Sequence, residues 1–135
     1  MDRKEFIKVF NKKDALSHTL GMELIELEET YAVAQMRITK EHLNFMGTLH
    51  GGTLFTLADV VAGTAISATG QNCVTLNSSI NYIRAVNEGV ITAKAEVVHR
   101  GRTTGVCDVK ICSQEGKLLC KGTFTMFMTG KEILL

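Results

Sequence analysis

The sequence predicts an α+β fold in which an antiparallel sheet wraps around one long central helix. Three observations predict it. The stretch from Gly51 to Thr69 is helix-like and apolar nearly all round, so it must be enclosed by other structure. After Gly70 the apolar period switches from helical to two, the mark of half-buried strands. Two further strand-like segments precede the helix, so one sheet can gather strands from both sides of it.

The elements follow in order. Residues 1–19 carry an amphipathic helix, with Phe6, Ile7, Phe10 and Leu16 against lysines, and Gly21 ends it. "MELIELEE" and "TYAVAQMRIT" read as a hairpin whose apolar content comes from Ala32, Val33, Ala34, Met36 and Ile38. A loop over 40–50 leads into the central helix over 51–69, and Gly70 supplies a C-terminal stop. "CVTLNSSINYIRA" is a strand of weaker alternation, polar on much of both faces. Then Ile91, Ala93, Ala95 and Val97 alternate with Thr92, Lys94 and Glu96. Cys107, Val109 and Ile111 alternate with Asp108 and Lys110. Leu118, Cys120, Phe124, Met126 and Met128 belong to the last strand. "HRGRTTG" and "SQEGK" join these three.

A chain of 135 residues without repeats or low-complexity linkers is expected to form one domain with a core of its own. The net charge of +1 is dispersed, which excludes a broad nucleic-acid footprint. Cys73, Cys107, Cys112 and Cys120 show neither a CxxC pair nor zinc spacing, and read as reduced thiols of a cytoplasmic protein. His18, His42, His50 and His99 lack ligand spacing, so no metal is expected. The N-terminus has charges among its apolar residues, unlike a signal peptide. The helix over 51–69 is rich in Gly, Ala, Thr and Ser and contains an acid, which argues against a membrane span.

That acid is the chemical signal. Asp59 is the only charged side chain between Gly51 and Ile83. It sits inside the helix, where Asp has poor propensity and caps nothing. Local hydroxyls from Thr56 or Thr64 are one structural explanation, but no basic partner exists in the segment. An acid on an apolar wall serves as general base for a water or as nucleophile. The same stretch begins with His50-Gly51-Gly52, whose free helix-start amides suit a developing oxyanion. Asn44, just before, is placed to orient a water or donate its own amide. His50 at a loop–helix junction reads first as a structural hydrogen-bonder. Gly51 and Asp59 are eight residues apart, about 12 Å along a helix rising 1.5 Å per residue. One carbonyl cannot sit about 3 Å from both. If both act on one carbonyl they come from two copies of the chain, and the site is composite.

"NFMGTLHGGTLFTLAD" resembles the active-site segment of hotdog-fold acyl-CoA thioesterases of the phenylacetate-degradation (PaaI-like) branch. The match is Asn, five residues, His-Gly-Gly, seven residues, Asp, and the element order agrees from about Leu20 to Met128. The resemblance implies hydrolysis of a small aromatic or medium-chain acyl-CoA to free acid and CoA. No cofactor is implied beyond the coenzyme A of the substrate. Asp59 is implied as the catalytic acid and the Gly51 amide as the carbonyl-polarising donor. Asn44 is implied at the carbonyl or the water, His50 in support, and Thr75 as a hydroxyl that places the water. In the family the acid and the amide of one site come from opposite subunits of a homodimer, some dimers pairing into homotetramers. The turn with His99, Arg100, Gly101, Arg102 and Thr103 is implied to contact the phosphates or pantetheine, with Tyr82 and Arg84 as further contacts. Ala85 stands where many relatives carry Pro.

Two rival readings are an acyl-thioester dehydratase or hydratase on the same fold, and a non-catalytic acyl-CoA-binding regulator. The first is expected to pair a catalytic His with its acid in a different order. The second is expected to lack the acid and carry a DNA-binding extension. The apolar or small residues Phe55, Val60, Ala62, Gly63 and Ile66 are expected to wall the acyl pocket, which leaves aromatic and aliphatic acyl groups equally open. Membrane and nucleic-acid partners are not expected.

Overall fold

The apolar helix is indeed enclosed. In the computed structural model, which describes residues 1–135, helix α3 (Gly51–Ile66) continues as a 3-10 turn over Ser67–Thr69. It touches every strand of one six-stranded antiparallel sheet. The strands are β1 (Met22–Leu27), β2 (Tyr31–Arg37), β3 (Gln71–Tyr82), β4 (Val90–Arg100), β5 (Thr104–Cys112) and β6 (Leu118–Glu132), in the spatial order β1-β2-β4-β5-β6-β3. This is the hotdog architecture. By length and composition Gly51–Thr69 could cross a membrane, yet here the sheet covers much of it.

Both ends of α3 follow from its sequence. At the start, His50 is extended and its Nδ1 accepts the Gly52 N–H at 2.8 Å. At the end, Gly70 adopts φ +103°, a left-handed conformation costly for residues with a Cβ. Between them Leu54, Leu57, Ala58, Val61, Ala62, Ala65 and Ile66 are buried. The sheet meets them with small residues at its middle. Ala32 pairs with Ala95 and Ala34 with Ala93 across β2 and β4, all fully buried. Without bulkier side chains there, the helix backbone settles close to the sheet. Gly105 serves the same end on β5, since a Cβ there would lie 2.5 Å from Ile66 Cδ1.

The N-terminal segment departs from the expected single helix. It forms α1 (Arg3–Lys13) and α2 (Ala15–Leu20), broken at Asp14. Asp14 is extended, and its carboxylate accepts the Ser17 N–H at 3.3 Å and the Ser17 hydroxyl at 2.5 Å. A side chain that caps a new helix ends the old one. The break moves Leu16 out of the α1 stripe and leaves it exposed.

The two sheet edges differ. The β1 edge is short, bulged and packed by α1. The β3 edge is twelve residues long, uncharged and free of Pro, and pairs only with β6. Val74 and Leu76 on it are 55% and 58% exposed. Long edges of this kind are normally blunted by charge, Pro or a bulge that turns the strand away. Here the bulge interrupts the β3–β6 register between Thr75 and Asn77, and the apolar edge stays open.

The four cysteines are free thiols, with Cys107 and Cys120 fully buried. Burial pushes the Cys107 thiol from its ordinary 9.0 up to about 12 and Cys120 up to about 11. These thiols ionise later in the folded chain than in the unfolded one. The stability gained by keeping them neutral is therefore complete below pH 9 and lost as pH climbs through 11 to 12. A thiol reagent applied to native protein at pH 8 is expected to spare both residues until denaturant is added. Peptide mass mapping that finds either one labelled in the native state would contradict this burial. A second prediction concerns Gly122, whose added Cβ would meet Ser79 O of the paired strand at 2.5 Å. Gly122→Ala is expected to lower stability by about 1–3 kcal/mol, because neither backbone can yield freely. Thermal unfolding reads this directly; an unchanged midpoint would show that the ladder relaxes.

Candidate active site

The helix rise separates Asp59 from Gly51, and the structure gives each its own cleft. Asp59 lines a cleft of about 560 Å³ between α3 and β3. Gly51 lines a different one of about 300 Å³, with Thr48, Leu49, Leu54, Tyr82, Ile83, Arg84 and Ala85. No single copy of the chain brings the two groups to one substrate atom.

Asp59 is half-buried on a cleft wall rather than sealed in the core, as the apolar helix suggested. Thr56 and Thr64 do not satisfy it. Thr56 donates to Gly52 O at 2.9 Å, and Thr64 to Val60 O and Val61 O at 3.0 Å, all inside the helix. Its partner is Thr75 on β3, whose Oγ1 donates to Asp59 Oδ1 at 2.5 Å. Thr75 also lies 3.3 Å from Met126 Sδ, but a hydroxyl has one proton and the carboxylate is the stronger acceptor. Oδ2 accepts no hydrogen bond from the protein. The ion pairs of the chain, Arg3–Glu28 and Lys94–Glu96, do not involve Asp59. The carboxylate is thus fixed by one oxygen and open at the other.

Gly51 is the first residue of α3, where N–H groups have no partner inside the helix. The neighbouring donors are all used. Gly52 N–H goes to His50 Nδ1, while Thr53 and Leu54 N–H go to His50 O. This leaves the Gly51 N–H as the free donor of the helix start. Tyr82 OH donates to Gly51 O at 3.1 Å, and its ring lies 3.4 Å from where a Gly51 Cβ would stand. Both line the smaller cleft. His50 acts as the helix N-cap.

Asn44 is built into its loop. Its Oδ1 accepts Met46 N–H at 2.9 Å and Thr48 N–H at 3.1 Å, and its Nδ2 donates to Thr48 Oγ1 at 2.9 Å. One amide proton of Nδ2 remains. The loop tip leaves Phe45 and Met46 exposed just ahead of Gly51.

The basic turn divides. Arg100 turns inward, its Nη2 donating to Glu29 O at 2.7 Å and Ala65 O at 2.8 Å. It ties the β1–β2 loop to the last turn of α3, where a cation also suits the helix dipole. His99, Arg102 and Thr103 stay exposed around Gly101, which leaves room for the His99 ring: a Cβ there would lie 3.0 Å from its Nε2. None of these five residues lines either cleft of the single chain, whereas Arg84 lies beside Gly51.

The expected acyl walls are partly corrected. Val60 and Gly63 line the Asp59 cleft, but Ala62 and Ile66 are core residues facing the sheet. Phe55 packs on Phe124 with ring centroids 5.4 Å apart. The walls that sequence reasoning missed are Phe6, Phe10, Leu16 and Ile133 from the two chain ends. The apolar stripe of the first helix marked Phe6 and Phe10 as buried, but only tertiary packing shows what they cover.

With this geometry in view, the chain can be set beside known proteins. The Thioesterase superfamily matches over residues 46–120. Escherichia coli (strain K12) acyl-coenzyme A thioesterase PaaI is 36% identical over 107 residues, covering 78% of this chain and 76% of that protein. The structure of the E. coli PaaI protein superposes with a TM-score of 0.89 at 31% identity, covering 94% and 93%. A 1,4-dihydroxy-2-naphthoyl-CoA hydrolase of Listeria monocytogenes is 34% identical over 120 residues, covering 87% and 98%. A hypothetical thioesterase of Streptococcus pneumoniae, solved with coenzyme A, is 43% identical with a TM-score of 0.85, covering 94% and 99%. A matched family segment that holds Gly51, Asp59, Thr75 and Tyr82, on a shared fold, places this chain in the thioesterase superfamily, in its PaaI-like hotdog branch.

Proposed function

We propose that this protein hydrolyses the thioester of an apolar acyl-CoA, aromatic or medium-chain, at a site composed by two copies of the chain. The observation that carries the proposal is that Asp59, with Oδ2 unbonded, lines one cleft while Gly51, with its N–H unbonded, lines another. In a homodimer, Asp59 of one protomer meets the Gly51 of its partner. The long uncharged β3 edge supports such an assembly, because it offers unpaired backbone groups and apolar side chains to a second copy. The PaaI relative named an acyl-coenzyme A thioesterase, and the Streptococcus protein solved with coenzyme A, support the substrate class. The free cysteines suit the cytoplasm.

In this mechanism Thr75 fixes Asp59 by Oδ1, and Oδ2 accepts a proton from water as its oxygen adds to the thioester carbon. Negative charge collects on the carbonyl oxygen, where the Gly51 N–H donates to it at the positive end of the helix dipole. The C–S bond then breaks, the proton returns to the leaving thiolate, and acid and CoA are released. In the direct alternative Oδ2 itself adds to the carbon and the C–S bond breaks, releasing CoA thiolate and leaving an anhydride. Water then cleaves the anhydride to the free acid and the Asp59 carboxylate, and the proton it releases neutralises the thiolate. Arg84 beside Gly51 and the exposed Arg102 supply positive charge for the phosphates of CoA.

Asp59→Asn keeps the shape and removes the base. It is expected to lower kcat by about 10²–10⁴-fold in a thiol-release assay while the protein keeps its fold and assembly. Thr75→Ala is expected to lose less, and Thr75→Ser to restore most of it. A folded Asp59→Asn variant with full rate would refute the mechanism. Gly51→Pro removes the donor at a first helical position that tolerates Pro. A loss of about 10²–10³-fold in kcat is expected. Gly51→Ala, which adds a Cβ 3.4 Å from the Tyr82 ring but keeps the N–H, is the steric control expected to retain most of the rate. Asp59→Asn and Gly51→Pro chains co-expressed in equal amounts should then recover about a quarter of wild-type activity. Half the dimers are mixed, and each mixed dimer holds one intact composite site. Absence of recovery would place both groups of a site in one chain.

A further inference from the structure

The chain has twelve glycines, and eleven have a local reason to be glycine. Six adopt positive φ. Four others stand where a Cβ would come within 3.1 Å or less of a protein atom, and a Cβ on Gly51 would touch the Tyr82 ring at 3.4 Å. Gly63 alone has neither reason. It lies inside α3, where Gly is a poor helix former, and a Cβ added to it meets nothing within 4 Å. The remaining use of a glycine is to let a ligand approach the backbone.

The empty space beside Gly63 is the Asp59 cleft. Asp59, Gly63 and Ser67 succeed one another on one helix face, about 6 Å apart at 1.5 Å per residue. Strand β3 runs back along that face, with Cys73 Sγ 3.4 Å from Gly63 O and Thr75 bonded to Asp59. The cleft therefore extends from Asp59 past Gly63 to the end of α3, where Phe6, Phe10, Leu16 and Ile133 line it. Several polar groups along the way are engaged within the protein, while the Asn72 side chain makes no hydrogen bond. Thr64 bonds to helix carbonyls, Ser67 Oγ lies 3.4 Å from Cys73 Sγ, and the Asp14 carboxylate holds Ser17. Eight of the sixteen residues that line the cleft are hydrophobic, and Gly63 adds bare backbone beside them.

We infer that Gly63 is the gauge of acyl length: the acyl group lies along the face of α3 over Gly63, and the N-terminal helices close the channel at Phe10 and Leu16. This rests on Asp59 facing the thioester carbonyl. It narrows the substrate class to extended apolar acyl groups, medium-chain aliphatic or arylalkyl, that reach beyond Gly63. An acetyl group ends before it.

The test compares wild type with Gly63→Ala, Gly63→Val and Phe10→Ala on acetyl-, hexanoyl-, decanoyl- and phenylacetyl-CoA. Thermal unfolding is run alongside. Gly63→Ala is expected to unfold no earlier than wild type, since Ala is the better helix former and has room. The ratio of decanoyl to acetyl kcat/KM is expected to fall at least tenfold in Gly63→Val and less in Gly63→Ala. Phe10→Ala is expected to shift the optimum toward longer chains. An unchanged ratio in folded Gly63→Val, or an equal loss on every substrate, overturns the inference and leaves the hydrolase reading standing. If wild type cleaves none of the four, the hydrolase reading fails instead. Calorimetric titration with decanoate then decides the channel: binding at least tenfold weaker in Gly63→Val supports it, and equal binding or none in wild type overturns it.

Discussion

Helix α3 carries one charge in sixteen residues, and enclosing it determines the rest of the molecule. A single sheet must curl around the helix, which requires small residues where the two come closest. The paired alanines of β2 and β4, and Gly105 against Ile66, meet that requirement. A sheet also has two ends and cannot close completely over a cylinder. The seam left between α3 and β3 is the cleft, and it opens on the helix face that carries Asp59 and Gly63. The most apolar helix of the chain can hold a carboxylate because that residue faces the seam, half-buried, and not the sheet.

Much of this was legible in the sequence. Strand alternation gave the sheet and the hairpin at "HRGRTTG", while the helix stop at Gly70 and the "SQEGK" hairpin at Gly116 each depend on a single left-handed glycine. The separation of Asp59 from Gly51 followed from the rise of a helix alone. The break at Asp14 was harder to read, because a run of alternating lysines and apolar residues looks helical on either side of it. Only the bond from Asp14 to Ser17 shows that a second helix begins there.

The site was less legible for a related reason. Sequence marks the type of a residue but not the direction of its side chain. Ala62 and Ile66 share the composition of pocket walls, yet a helix turns them toward the sheet. Arg100 and Arg102 are two residues apart in one basic turn. One is drawn under the helix by the Ala65 and Glu29 carbonyls and the other is left in solvent. Phe6 and Phe10 read as core because they are apolar, and their stacked rings are partly that. Both also line the cleft beside Asp59, which no local pattern encodes.

Strand β3 connects these features. Its Thr75 fixes Asp59, its Tyr82 holds the carbonyl of Gly51, and its outer edge is the unpaired margin of the sheet. The same twelve residues therefore touch both separated chemical groups and form the open edge of the sheet. A shift of β3 along a partner strand would move Thr75 and Tyr82 together, and with them the alignment of each acid on the opposite amide. In the proposed dimer the register of one strand pair sets the distance between catalytic groups that no single helix can bring together. Such a site would hold its groups on two helices and one ladder of hydrogen bonds, a rigid support. That rigidity suits a reaction whose barrier is lowered by donors already aimed at the place where charge develops.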